Sequence, residues 1–191
     1  GEVPCLLHVG FGLFFGLYSE GLDRLWQLHF LEQFSFGAIK PVVLFGAFEA
    51  VSMLASAGAL SILQGRINLA GSRMLIKAQT WITAGMLLMF YAFTWLQALI
   101  PALIAYMLLT LFREIRYPVY RSWVNHRLDS SVRATMLSVS GQMDSLGQIT
   151  GGPGIGLIAE RYSVRTALTV SASLLLPVFY FFARQFKLDE D

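Results

Sequence analysis

The chain has 191 residues, of which 55% are hydrophobic and only 14% are charged. Since a soluble domain carries about 25% charged residues, this composition excludes a surface coated with charge and favours a chain that lies in lipid. The formal net charge of +2 argues against a nucleic-acid partner, and a single cysteine, Cys5, excludes an intrachain disulfide and a thiolate metal cluster.

Six apolar segments follow one another, each with a length suited to crossing a bilayer as a helix, which takes roughly 20 residues. The uncharged stretch 78–112 would be about 50 Å long as one helix, so we expect a tight turn near 94–97. The predicted spans are 3–19, 41–63, 78–95, 97–112, 134–159 and 166–183. The predicted fold is therefore all-α and integral to the membrane, a six-transmembrane-helix bundle forming one domain, 1–191.

The first span carries His8, for which a proton relay and a structural hydrogen bond are both open interpretations. The segment 21–40 after it mixes leucine and aromatic residues with charges. This pattern is typical of an amphipathic extension at the membrane interface, with Trp26 near the headgroups.

The second span contains an acid, Glu49, near mid-depth, with Ser52 and Ser56 on the same helical face. An acid at the centre of a membrane helix costs about 2.5–3.5 kcal/mol on insertion scales and is by default a functional candidate. Glu49 is therefore predicted to lie on the substrate or proton pathway, the alternative being a structural hydrogen bond between helices.

The longest polar link is 113–133, in which Pro118 is expected to end the helix and Asp129, Ser130 or Ser131 to cap the next one. With both termini in the cytoplasm, ten Lys and Arg residues, including those of this link, fall on the cytoplasmic side and four on the other. The positive-inside rule favours this orientation.

The fifth span carries a polar stripe, because its small and polar residues recur at helical spacing. The stripe consists of Ser138, Gly141, Ser145, Gln148 and Gly152. A stripe of this kind must face protein or a water-filled cavity, so it is predicted to line a pathway, or alternatively to join neighbouring helices.

Asp144 lies beside this stripe near mid-depth and is the second intramembrane acid. We expect it to carry a proton, to bind a cation, or to pair with a basic residue of another half, because no Lys or Arg is predicted within the spans of this chain. Its structural alternative is again a hydrogen bond between helices.

The same span ends in a glycine-proline element that suits close helix packing and, through the proline, a kink that a gating helix needs. Its residues are Gly147, Gly151, Gly152, Pro153 and Gly156.

Three segments resemble the C-terminal six-helix half of major facilitator superfamily transporters. Residues 19–26 (SEGLDRLW) are similar to the end of the seventh helix in the bacterial drug-efflux-type branch, and 125–138 to the link into the eleventh. The run 151–156 (GGPGIG) is similar to the antiporter glycine-proline element, and the loop 65–73 keeps only glycine and basic remnants of the family's loop motif, as between helices eight and nine.

The resemblance implies one half of a secondary active transporter in the bacterial inner membrane, with both termini cytoplasmic. Its partners would be the lipid bilayer, a small-molecule substrate, a proton, and an N-terminal half or a second copy, with the substrate at the midplane between halves.

Proton-coupled efflux of small amphipathic compounds is the leading functional hypothesis. A uniporter or symporter for a metabolite or sugar is an alternative, and so is a non-transporting six-helix membrane scaffold. Because the hydrolase, metalloprotease and phosphate-binding signatures are absent from the sequence, we expect no enzyme activity, no cofactor and no metal site.

Overall fold

The chain is all-α with a six-helix organisation, as predicted. The computed structural model describes residues 2–37, 40–69, 71–127 and 129–188. The helices of this part are α1 (Glu2–Gln33), α2 (Pro41–Leu69), α3 (Ser72–Trp95), α4 (Leu99–Arg127), α5 (Ser130–Arg161), α6 (Val164–Ser173) and α7 (Leu176–Leu188). Since only two residues separate α6 from α7, these two form one interrupted sixth helix.

Two stretches of the described residues are long and apolar enough to cross a membrane, Pro41–Gly65 and Val164–Phe186. The first is α2 and the second is the interrupted helix α6–α7. By length and composition alone this is weak evidence for a membrane protein, so the predicted membrane bundle is taken up below as a proposal.

The long helix α1 forms the centre of the bundle, packing along α5 and also against α6 and α7. Helices α3 and α4 form a hairpin that closes the other side, and α2 packs chiefly on α4. Aromatic rings fill the space between α1, α3 and α4, with Phe30, Phe90 and Phe93 fully buried. Trp26 belongs to this core, because its ring stacks on Tyr106 with centroids 4.7 Å apart. The ring of Trp26 therefore faces the bundle and not the outer surface, and its depth relative to the headgroups stays a prediction.

Helices α1 and α5 cross with their backbones in contact, because glycines on both helices remove the side chains that would separate them. A Cβ on Gly16 would overlap the backbone carbonyl of Asp144, and one on Gly147 would overlap that of Leu13. Gly12 lies one turn before Gly16 and meets α5 equally closely. The crossing therefore fixes the depth at which Asp144 lies against α1.

The prediction that Pro118 ends the fourth helix is wrong, since α4 continues through it to Arg127. A proline removes one backbone hydrogen bond from a helix interior. Near this point α3 supports α4, because the buried Gln79 donates from Nε2 to the carbonyl oxygen of Arg116 at 2.8 Å. As a result Arg113 and Arg116, predicted to lie in a loop, lie midway along α4.

The crossing predicts opposite effects for two glycines of α5. Gly147→Ala should lower the free energy of unfolding by about 1–3 kcal/mol, the usual cost of overpacking. Gly156→Ala is the matched control, because a Cβ there meets nothing within 4 Å and alanine favours a helix interior over glycine. Thermal unfolding of the two purified variants measures the difference. Equal stability in both would contradict close packing at Gly147.

Candidate functional site: charged cavities between the helices

A cavity of about 120 Å³ lies where α1, α4 and α5 meet, and Arg116 and Asp144 both line it. Gly12 and Gly141 leave room for it on the α1 and α5 sides, and Phe15 forms part of its apolar wall. Because α1 and α5 touch at glycines, the acid of α5 and the arginine of α4 line the same, partly open cavity.

Arg116 is held in place from one side only. Its guanidinium lies over the ring of Phe15, 3.6 Å from the centroid, an arrangement that favours a cation over a π face. Its Nε is buried and has no hydrogen-bond partner. A buried donor without a partner costs free energy, so Arg116 retains capacity to bind an acceptor that enters the cavity.

Asp144 is half-buried and has one side-chain partner, since Gln148 donates from Nε2 to its Oδ2 at 2.9 Å. The carboxylate and the Arg116 guanidinium line the same cavity but form no ion pair with each other, as no N···O distance between these two described residues is within 4.0 Å. Behind them the Tyr120 hydroxyl donates to Ser140 Oγ at 3.2 Å. The cavity therefore presents one positive and one negative group that are not in direct contact with each other.

A second and larger cavity, about 430 Å³, lies between α1, α2 and α4. Arg113 and Asp23 meet there in a two-pronged ion pair, with N···O distances of 2.5 and 2.7 Å. Glu49 lines the same cavity and accepts a hydrogen bond from the Tyr106 hydroxyl at 3.2 Å. The carboxylate of the second span thus has a partner within the chain but remains open to the cavity.

Of the predicted polar stripe, Gln148 contacts Asp144, while Ser138 and Ser145 are exposed on α5. Ser145 Oγ donates to the Gly141 carbonyl of its own helix at 3.1 Å. The pathway role of these serines stays a prediction. The side chain of His8 lies outside the described residues.

The glycine-proline element divides into a packed and an open half. Gly147 and Gly151 are buried against α1, and Gly152 is half-buried beside it. Pro153 lies inside an uninterrupted α5, and Gly156 faces open space. Packing accounts for the first two glycines, and gating by the proline stays a prediction.

Sequence reasoning missed the arginines of this site. Both lie within α4 in the structure, although among the described residues neither forms an ion pair with Glu49 or Asp144. The hydrophobic run ends at Phe112, which suggested that Arg113 and Arg116 belonged to a loop. The available signal was their helical spacing with Tyr120, which places all three on one face of a continuing helix.

No family model, curated protein or solved structure matches this chain. Among the residues that the structure describes, no group of three or more His, Cys, Asp or Glu side chains is placed to hold a metal ion. The polar groups that line the two cavities include arginine, carboxylate and tyrosine side chains.

The Asp23–Arg113 pair should couple α1 to α4. Asp23→Asn should lower the free energy of unfolding by about 1 kcal/mol, since the pair is partly exposed, and the melting temperature by about 2–4 °C. The exchanged double variant, Asp23→Arg with Arg113→Asp, should recover part of this loss. Glu114→Gln, an exposed neighbour on α4, serves as the control. A loss of stability in the double variant equal to the sum of the losses in Asp23→Arg and Arg113→Asp alone would contradict the pairing.

Proposed function

We propose that the chain is a six-span transport module that carries a small amphipathic compound through a membrane, as one half of a secondary transporter coupled to protons. One observation carries the proposal: charged side chains lie between the helices while large apolar side chains cover the outside. The charged residues that line the two cavities are Asp23, Glu49, Arg113, Glu114, Arg116 and Asp144. In a protein dissolved in water this distribution would be reversed.

The outer surface supports a lipid environment. The side chains of Leu54, Trp81 and Leu88 are 75%, 77% and 64% exposed on α2 and α3. Exposed apolar surface on this scale is unfavourable in water and marks a membrane or protein contact. In lipid it has no such cost, whereas charges at mid-depth require a cavity or a partner.

The proposed orientation does not depend on Arg113 and Arg116, which lie within α4 and not in a cytoplasmic link. With Arg113 and Arg116 inside the bundle, eight of the ten Lys and Arg residues remain on the proposed cytoplasmic side against four on the other. The positive-inside rule still favours cytoplasmic termini, and the resemblance to the major facilitator superfamily agrees with this arrangement.

Helix α2 supports the proposal of a second half. It packs chiefly on α4 and leaves apolar side chains exposed along its length, among them Val42, Leu54 and Ile62. Its inner face carries Glu49, Ser52 and Ser56 toward the larger cavity. An N-terminal half or a second copy placed against α2 and α5 would enclose this cavity on its open side.

Glu49 is the proposed proton carrier, because its only hydrogen-bond partner among the described residues is Tyr106 and no cation lies in ion-pair contact with it. Glu49 lines the larger cavity, and an acid in the middle of a membrane helix is by default a functional candidate. Asp144, in the smaller cavity, is assigned to the substrate pathway.

Glu49→Gln should abolish coupled proton flux. The purified chain is reconstituted in liposomes that contain a pH-sensitive dye, and gradients of amphipathic amines, carboxylates and zwitterions are imposed in turn. We expect proton movement with at least one compound class, a loss of at least about tenfold with Glu49→Gln, and normal flux with Glu160→Gln, an exposed acid at the end of α5. Absence of proton flux with every class, or full flux in Glu49→Gln, would overturn the proposal.

A further inference from the structure

The smaller cavity is lined by two opposite charges that form no direct ion pair with each other among the described residues. Arg116 has a buried Nε without a partner, and Asp144 has only Gln148 as a side-chain partner among the described residues. Both line the cavity between α1, α4 and α5. A buried polar or charged group that lacks a partner costs free energy, so a ligand that satisfies both groups gains most.

The walls of the cavity define the body of such a ligand. Phe11, Phe15, Tyr120 and Leu137 supply apolar surface. Its volume of about 120 Å³ is slightly below the roughly 150 Å³ of an engineered apolar cavity that accepts benzene. Because this volume must also hold the charged groups and the cavity is open on one side, the compound that fits is small, with part of its apolar body extending into the opening.

Charge balance separates the candidate ligands. A simple carboxylate would pair with Arg116 but be repelled by Asp144, and a simple amine would pair with Asp144 but be repelled by Arg116. A zwitterion pairs with both, and its carboxylate receives the charge-assisted hydrogen bonds that arginine gives best.

We infer that this cavity binds a zwitterion of the α-amino-acid kind with a small apolar side chain, its carboxylate on Arg116 and its ammonium group on Asp144. The inference rests on the proposed transport function, since it names the class of compound that the module carries. It assigns Asp144 to substrate binding and leaves proton transfer to Glu49.

Three compounds of one shape test the charge requirement: leucine, 4-methylpentanoate, which lacks the amino group, and 3-methylbutylamine, which lacks the carboxylate. Binding to the full purified chain in detergent is measured by titration calorimetry. Leucine should bind at least about tenfold more tightly than either analogue. Equal binding of all three, or preference for one of the singly charged compounds, would overturn the inference.

Removing either charge from the cavity should change which of the three compounds binds most tightly. Arg116→Gln should bind 3-methylbutylamine best, and Asp144→Asn should bind 4-methylpentanoate best, each with leucine weakened about tenfold or more. A gain for a singly charged compound cannot come from an unfolded variant. Arg161→Gln and Glu160→Gln, two exposed charged residues at the end of α5, should bind as the original chain does. Loss of all binding in Arg116→Gln and Asp144→Asn, with both folded by thermal unfolding, would contradict the assigned roles.

The same measurements separate this inference from the proposed function. Leucine binding with exchanged preferences, but without proton flux in liposomes, would overturn transport and retain the zwitterion site. Proton flux driven only by amines or only by carboxylates would retain transport and overturn the zwitterion site.

Discussion

The backbone crossing of α1 and α5 is the contact on which the rest of the site depends. Because Gly12, Gly16 and Gly147 carry no side chains, the two helices approach until their backbones touch. Asp144 belongs to the segment in contact, so its carboxylate is held at a fixed depth beside α1. Larger side chains at this crossing would move α5 outward and separate Asp144 from the cavity that it shares with Arg116.

The charges of the interior are organised in two different ways. Asp23 and Arg113 satisfy each other through two parallel hydrogen bonds, the geometry that makes an arginine–carboxylate pair specific. Arg116 and Asp144 share a cavity without pairing. An ion pair whose members contact each other is suited to holding helices together, whereas two separated charges are suited to binding a ligand. For this reason we assign a structural role to Asp23 and Arg113 and a binding role to Arg116 and Asp144.

The helical class, the six apolar segments and the turn after Trp95 could be predicted from hydropathy and chain length, because long uncharged runs leave few other structures. The two acids Glu49 and Asp144 could be identified as candidates because a charge within such a run is costly. Hydropathy alone predicts a loop at Arg113 and Arg116, because a charged residue normally marks the end of a span. In the structure α4 continues because these arginines face Asp23 and the cavity. The sequence also could not predict which helices pack together, because periodicity defines the face of a helix but not the element that packs against it.

The central claim is that hydrocarbon covers the outside of this bundle while water reaches its charged interior. Spin labels on the chain in liposomes test this claim. One label is attached at Leu88→Cys on the outer face of α3 and the other at Gly141→Cys beside the smaller cavity. Both variants are made in a Cys5→Ser background. Collisions with oxygen should dominate at position 88 and collisions with a water-soluble nickel complex at position 141. Equal access of the nickel complex to both positions would contradict the claim.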